Sequence, residues 1–422
     1  MNVSRSERTS AEPQVGVACP ACGTADGLAS LYTLQDIPVQ STLLMPDRTA
    51  ALGFPTGEMD LTWCPSCGFA FNARFDPGRV DYGQGYEDAQ GASPTFAAFA
   101  MDLARGWIDR YDLRGRHLVE IGCGKGDFLR LICAEGDCTG TGFDPAFAPG
   151  RGEDLPGLTF RAETFTDADV PVAADFLICR HTLEHVGDVA GFLRLMRDAC
   201  GESRTIRLGF EVPDLRRILA EGAFWDIYYE HAAYFTAGSL ARAFARAGLD
   251  VLNLARVYGD QYLIVEARPG FGPDAGQAPL PPLADDLDET AVLVERFRDI
   301  GVARIAAWRD RFADWKAQGL KVALWGSGSK AVGFLTTIGD PGIVTAVVDI
   351  NPARQGRYMP GCAMPIVAPE ALALDPPDIV IVMNAIYRTE ITDSLHAMSL
   401  APLVLTTDDE PPTADIPLEA RA

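Results

Sequence analysis

The sequence predicts an α/β protein in which two Rossmann-like units follow a small cysteine-built domain. Three observations carry that expectation. Apolar, strand-like runs alternate with helical periods, an alternation that implies parallel sheets with crossover helices. Twice a strand ends in a glycine-rich turn that opens a helix, at "LVEIGCGKGDFL" and again at "KVALWGSGSKAVGFL". Ahead of both stand two Cys-x-x-Cys-Gly stretches, in a segment too short to build its own core. A chain of 422 residues also exceeds what one core organises, so several domains are expected on length alone.

Taken in order, residues 1–16 read as a polar, flexible leader, and 17–80 as a zinc-binding domain. Residues 81–270 form the first α/β unit, opened by the helical pattern "SPTFAAFAMDLARGWIDRY". A Pro-, Gly- and Asp-rich linker spans 271–288, and the second α/β unit spans 289–410 behind one long helix, kinked near Gly301. An acidic tail covers 411–422.

Composition bounds the function. There are 36 basic residues against 58 acidic ones, for a net charge of −22. That balance argues against broad nucleic-acid binding, which needs a basic footprint, and against an anionic membrane surface. The polar start lacks an apolar signal core, and no run reaches the roughly 18 apolar residues of a membrane span. The expectation is a cytoplasmic protein, monomer or homodimer, acting on a small molecule.

"ACPACGT" supplies Cys19 and Cys22, and "TWCPSCGFA" supplies Cys64 and Cys67. Two such hairpins bring four thiolates into a tetrahedron suited to Zn²⁺. A redox pair or buried thiols are the other readings. Four cysteine ligands leave no open position, so this metal folds the domain and does no chemistry.

In the first turn Glu120 ends a strand, and Gly122, Gly124 and Gly126 let the backbone approach a ligand at a helix start. Asp144 closes the next strand, where an acid can accept both ribose hydroxyls. "ADFLICRHTLEHV" ends a further strand in Arg180 and His181, both expected at the cofactor pocket, while His185 reads as a plain helix-start residue. Together these resemble the class I S-adenosylmethionine methyltransferase fold.

Beyond the next strand lies "DIYYEHAAYF", with Tyr228, Glu230 and His231. A histidine there can act as general base, with Glu and Tyr orienting it or holding an oxyanion. With "RHTLEHV", "EVPDL" and "YYEHAAYF", then "LWGSGSKAVGFL", "VVDINPARQGRYMPGCAMPI" and "MNAIYRTEI", the chain resembles the sugar C-methyltransferases of nucleotide-linked 4-ketodeoxysugars over residues 17–405. The resemblance implies a zinc domain, a methyltransferase domain and a C-terminal α/β domain, with S-adenosyl-L-methionine as cofactor. It implies that His231 removes the proton beside a ketone while Glu230 and Tyr228 orient it or bind the sugar. Tyr82 and Tyr86 are expected over the pocket, and Lys330 of "GSGSK" at the acceptor's diphosphate. The chain departs from the family pattern at Asp260, Gln261 and Tyr262, and at Tyr229, which places Gln261 in the acceptor pocket and leaves the acceptor open. Methyl transfer to oxygen or nitrogen, or a non-catalytic zinc-stabilised scaffold, are the competing readings.

Overall fold

Three sheets follow one another in the structure, a computed structural model that describes residues 17–83, 85–87, 89–150, 155–339 and 342–409. The leader 1–16 and the tail 411–422 lie outside the described residues. The first sheet is an antiparallel meander of β1 (Ala29–Pro38), β2 (Thr56–Trp63) and β3 (Ala70–Asn72), with the short helix α1 (Arg48–Leu52) between β1 and β2. Its fourth strand is Ala233–Tyr234, just after the Tyr-Glu-His residues. The cysteine-rich segment therefore holds the backbone that carries His231.

After α2 (Pro94–Tyr111) comes the second sheet, built from β4 (His117–Ile121), β5 (Thr139–Phe143), β6 (Leu158–Arg161), β7 (Phe176–Arg180) and β8 (Arg207–Pro213). Past β9 (Ala233–Tyr234) it is completed by β10 (Leu249–Val257) and β11 (Tyr262–Pro269), in the order β10-β11-β8-β7-β4-β5-β6. Strand β11 alone runs against both of its neighbours. Helices α3 (Asp127–Gly136), α4 (Val189–Ala199), α5 (Leu215–Glu221) and α6 (Ala237–Arg246) connect these strands. Helix α3 forms because Phe128, Leu129, Ile132 and Cys133 repeat at helical spacing and bury against Ala104, Trp107 and Ile108 of α2. Each fully buried large side chain there contributes roughly 1.5–3 kcal/mol. The chain leaves β4 toward β5 and later returns on its other side as β7, which makes a switch point at their C-terminal ends.

The predicted linker is not free. Asp286 is buried, and its carboxylate accepts the Gly238 amide at 2.7 Å, capping α6. Ala284 is buried beside it. Polar composition suggested a spacer, but these polar groups bond to the helix end.

Helix α7 (Leu287–Ala317) runs unbroken through Gly301, burying Leu293, Phe297, Ile305, Trp308, Phe312 and Trp315 along one face. A third sheet follows, wholly parallel, in the order β14-β13-β12-β15-β16. Its strands are β12 (Val322–Trp325), β13 (Val344–Val348), β14 (Ile366–Val367), β15 (Ile379–Val382) and β16 (Leu403–Thr406), with helices α8 (Ser329–Ile338) and α9 (Arg388–Ala397). Leu61 of the first sheet, Trp225 after α5, Phe297 of α7 and Phe334 of α8 belong to one continuous apolar cluster. That shared core fixes the two glycine turns toward each other. No helix among the described residues is long and apolar enough to cross a membrane.

Candidate active site

A cavity of about 570 Å³ lies between the two switch points, within the usual size of a small-molecule site. Both glycine turns face it, as do Thr42 and Tyr86 from the N-terminal part, Arg180, His181, Glu184 and His185 after β7, and Tyr228 and His231.

The first turn supplies Glu120, Gly122 and Gly124 to the wall. Gly122 has φ +73°, and a Cβ there would stand 1.9 Å from the Thr182 hydroxyl, so only glycine fits. Glu120 is buried, and burial pushes its carboxyl up to about 8 even with Arg180 opposing. Its Oε2 and the Nη2 of Arg180 have no hydrogen-bond partner among the described residues. An unpaired acceptor and an unpaired donor at one cavity suit a ligand carrying both an ammonium and a carboxylate. Asp144 and Gly126 stand off the wall. The Asp144 oxygens accept the Gly124 and Ala146 amides, each at 2.7 Å, so it shapes the turn.

Behind β7 lies a buried charge network. Glu211, fully buried at the end of β8, accepts Arg180 Nε at 2.5 Å and stands 3.2 Å from His181 Nε2. Glu184 stands 3.4 Å from His181 Nδ1. Burial alone would lower His181, but the two carboxylates outweigh it and lift it to about 9. Arg180 and His181 in turn hold Glu211 at about 2 against its burial. His181 thus lines the cavity as a cation that organises carboxylates.

The Tyr-Glu-His stretch divides its labour. Glu230 does not orient His231. Its Oε1 accepts the Ser41 amide at 3.1 Å and the Ser329 hydroxyl at 3.3 Å, and its Oε2 accepts from the Tyr86 hydroxyl at 3.2 Å. It ties together the N-terminal part, the catalytic sheet and the second turn. Tyr82 lies behind the wall, its hydroxyl 3.0 Å from His185 Nδ1. His185 Nδ1 also lies 3.1 Å from the Glu230 carbonyl, to which it can only donate. His231 is buried on the cavity wall and packs its ring against Tyr228 at 4.3 Å and His185 at 4.9 Å. Its ring nitrogens make no hydrogen bond among the described residues. Burial above all, with the neighbouring His181 and Lys330 cations adding to it, holds it well below the ordinary histidine value. Burial likewise holds Tyr228 well above the ordinary phenol value, so it stays a donor.

The second turn lines the cavity from Gly326 to Lys330. The Lys330 ammonium pairs with Asp226, which also pairs with Arg217. Lys330 therefore joins the two α/β units and does not project as the free cation expected. Gln261 and Asn384 exchange two amide hydrogen bonds, both 2.9 Å, across the same boundary. Sequence reasoning passed over Asp226 and Glu211 and took His185 for a plain helix-start residue. Glu211 ends an apolar strand just as Glu120 does, and that signal was there to find. Asp226 and His185 gain their place only through contacts distant in sequence.

The four cysteines cluster as expected. All four sulfurs lie within 4.8 Å of one another, with Cys19–Cys67 and Cys22–Cys64 each at 3.7 Å. A tetrahedron with Zn–S bonds of ~2.3 Å has edges of about 3.8 Å, so the set fits zinc.

A sheet with one reversed strand, a glycine turn at its switch point and a cavity above that turn define an S-adenosylmethionine-dependent methyltransferase. Residues 96–254 match the family described as "Methyltransferase domain", and 295–401 match "C-methyltransferase C-terminal domain". The two matches follow one another in the order of the two α/β units. It is 25% identical over 389 residues to the C-methyltransferase NovU of Streptomyces niveus, covering 89% of this chain and 91% of that protein. Among solved structures, a Burkholderia thailandensis 1,6-didemethyltoxoflavin-N1-methyltransferase aligns over 41% of this chain and 79% of its own, with 18% identity and a TM-score of 0.33. The magnesium protoporphyrin IX methyltransferase of Synechocystis covers 42% and 84%, with 14% identity and a TM-score of 0.33. The fold assignment rests on strand order, not on these low overlaps.

Proposed function

We propose that the enzyme transfers the methyl group of S-adenosylmethionine to a carbon beside a carbonyl, with a nucleotide-linked 4-ketodeoxysugar as the acceptor class. One observation carries the reading: His231 is a buried, neutral imidazole with no hydrogen-bond partner among the described residues, on the wall of a cavity shared by both glycine turns. A base needs that state. The C-methyltransferase relative and the C-terminal domain match support carbon as the methylated atom.

When bound, S-adenosylmethionine supplies a methyl group on a positively charged sulfur. Glu120 receives the ammonium of its amino-acid end and Arg180 the carboxylate. His231 takes the proton beside the ketone, and the Tyr228 hydroxyl donates to the oxygen that gains charge. The carbon then takes the methyl, and the proton leaves from His231 to solvent. The backbone of Gly326–Ser329 faces the acceptor's diphosphate. Zn²⁺ held by Cys19, Cys22, Cys64 and Cys67 fixes the sheet that carries Ala233–Tyr234, and so the backbone beside His231.

The test is proton exchange in D₂O on a panel of nucleotide-linked 4-ketosugars, with S-adenosylhomocysteine filling the cofactor site. Exchange beside the ketone is expected, slowed by roughly 10²–10⁴ in His231→Ala. Unchanged exchange in that variant removes His231 as the base; a methyl found on oxygen or nitrogen in turnover overturns carbon transfer. Native mass spectrometry of protein washed free of weakly held metal should find one zinc per chain, lost in Cys64→Ser.

A further inference from the structure

We infer that Glu184, His185 and His231 form a binding site for a divalent transition-metal ion, and that an ion held there inhibits the enzyme by occupying the base. One ligand atom from each of the three lies within 4.8 Å of the others. Glu184 is 2% exposed and lines the cavity, and its Oε2 has no hydrogen-bond partner among the described residues. A buried carboxylate oxygen left bare at a cavity is a costly arrangement that a cation relieves.

The surrounding groups are those that metal ligands require. His185 Nδ1 lies 3.1 Å from the Glu230 carbonyl and 3.0 Å from the Tyr82 hydroxyl; with Nδ1 donating to the carbonyl, the other nitrogen keeps its lone pair for an ion. His181 holds the second oxygen of Glu184, at 3.4 Å from its Nδ1. His231 brings an imidazole whose nitrogens have no hydrogen-bond partner among the described residues. Two imidazoles and one carboxylate suit Zn²⁺, Co²⁺ or Ni²⁺, whereas Mg²⁺ and Ca²⁺ prefer oxygen alone. Closing on an ion at ~2.1 Å draws the donors together by about an ångström, which side-chain rotation supplies. The remaining coordination positions face the cavity, and the ion competes there with the acceptor's ketone. This set is separate from the cysteine site, which has no open position.

Inhibition rests on His231 being the base; binding does not. The experiment uses enzyme whose cysteine site is already filled with Zn²⁺, titrated with Co²⁺ and followed by visible absorption. One equivalent of Co²⁺ should bind with weak ligand-field bands and no thiolate charge-transfer band, and Zn²⁺ should displace it. Glu184→Gln and His185→Ala should each weaken Co²⁺ by at least ~10-fold. His396→Ala, at an exposed histidine of α9, should change nothing; retained S-adenosylhomocysteine binding shows that each variant is folded. Absence of the Co²⁺ bands, thiolate bands alone, or an affinity that follows His396 overturns the site and leaves the base assignment standing. Bound metal with undiminished ketosugar exchange overturns the inhibition, and with it His231 as the base.

Discussion

The two glycine turns are built alike and bear opposite chemistry. In the first, the acid that ends the next strand accepts from the turn and from its own loop: Gly124 and Ala146 amides on Asp144, each at 2.7 Å. In the second, Asp349 does the same for the Ser327 amide at 3.0 Å and the Asn351 amide at 2.9 Å. What differs is the residue two before the first glycine, a buried Glu120 in one and Leu324 in the other. The first turn keeps a bare carboxylate for a cationic ligand. The second has none, and its lysine is neutralised by Asp226 across the domain boundary. Strand and turn geometry thus makes a ligand-facing amide cradle twice, and one side chain decides the charge it accepts.

Adding a methyl group to each turn should separate the two most. In Gly122→Ala the new Cβ meets Thr182 at 1.9 Å, at a φ of +73° that alanine avoids. Gly328 has φ −77° and nothing within 4 Å of a built Cβ. S-adenosylhomocysteine binding should fall more than ~100-fold in the first variant and stay within ~2-fold in the second, measured by calorimetry. Equal losses would mean that the two turns hold one ligand jointly.

How the turns were legible, and where they were not, follows from range. The glycines, Glu120 and the four cysteines announce themselves because local backbone geometry and metal chemistry dictate spacing in sequence. His231 also lines the cavity, although α5 separates it in sequence from the end of β8. Glu230, Lys330 and Gln261 each bond to a partner that is near only after folding. Glu230 reaches Ser41 and Ser329, and Gln261 reaches Asn384. Polar residues near a site look like ligand contacts until the domain boundary between them is seen.

A smaller effect separates a tie from a ligand group at Lys330. Asp226 is buried between Arg217 and Lys330, and these two cations hold its carboxyl below the usual range against the cost of burial. Asp226→Asn leaves two facing cations and should cost about 3–5 kcal/mol in chemical denaturation. Lys330→Met leaves Asp226 paired with Arg217 and should cost less, about 1–2 kcal/mol. If Lys330→Met instead keeps full stability and weakens ketosugar exchange through the acceptor's KM alone, Lys330 is a ligand group after all.

The smallest effect is the most specific, because it reads the charge of the first turn directly. Glu120 titrates at about 8 in the folded, ligand-free protein and near 4.5 when unfolded. The folded state therefore holds the proton more tightly, and the stability this provides is lost as pH rises from 4.5 through 8. Keeping the group protonated across the 2.5 pH units from 4.5 to 7 corresponds to on the order of 3 kcal/mol against its ionised form. A ligand ammonium at Oε2 removes that penalty, so binding should expel the proton. At pH 7 nearly one proton should leave per S-adenosylhomocysteine bound, seen as a dependence of the calorimetric heat on the buffer's ionisation enthalpy. Affinity should climb toward pH 8 and level off above it. Glu120→Gln should abolish the proton release and weaken the ligand by ~10-fold, while making the empty protein more resistant to unfolding above pH 7. Native enzyme that binds the ligand without releasing a proton would place the ammonium elsewhere. The contrast between Glu120 and Leu324 would then have to be explained by packing and not by charge.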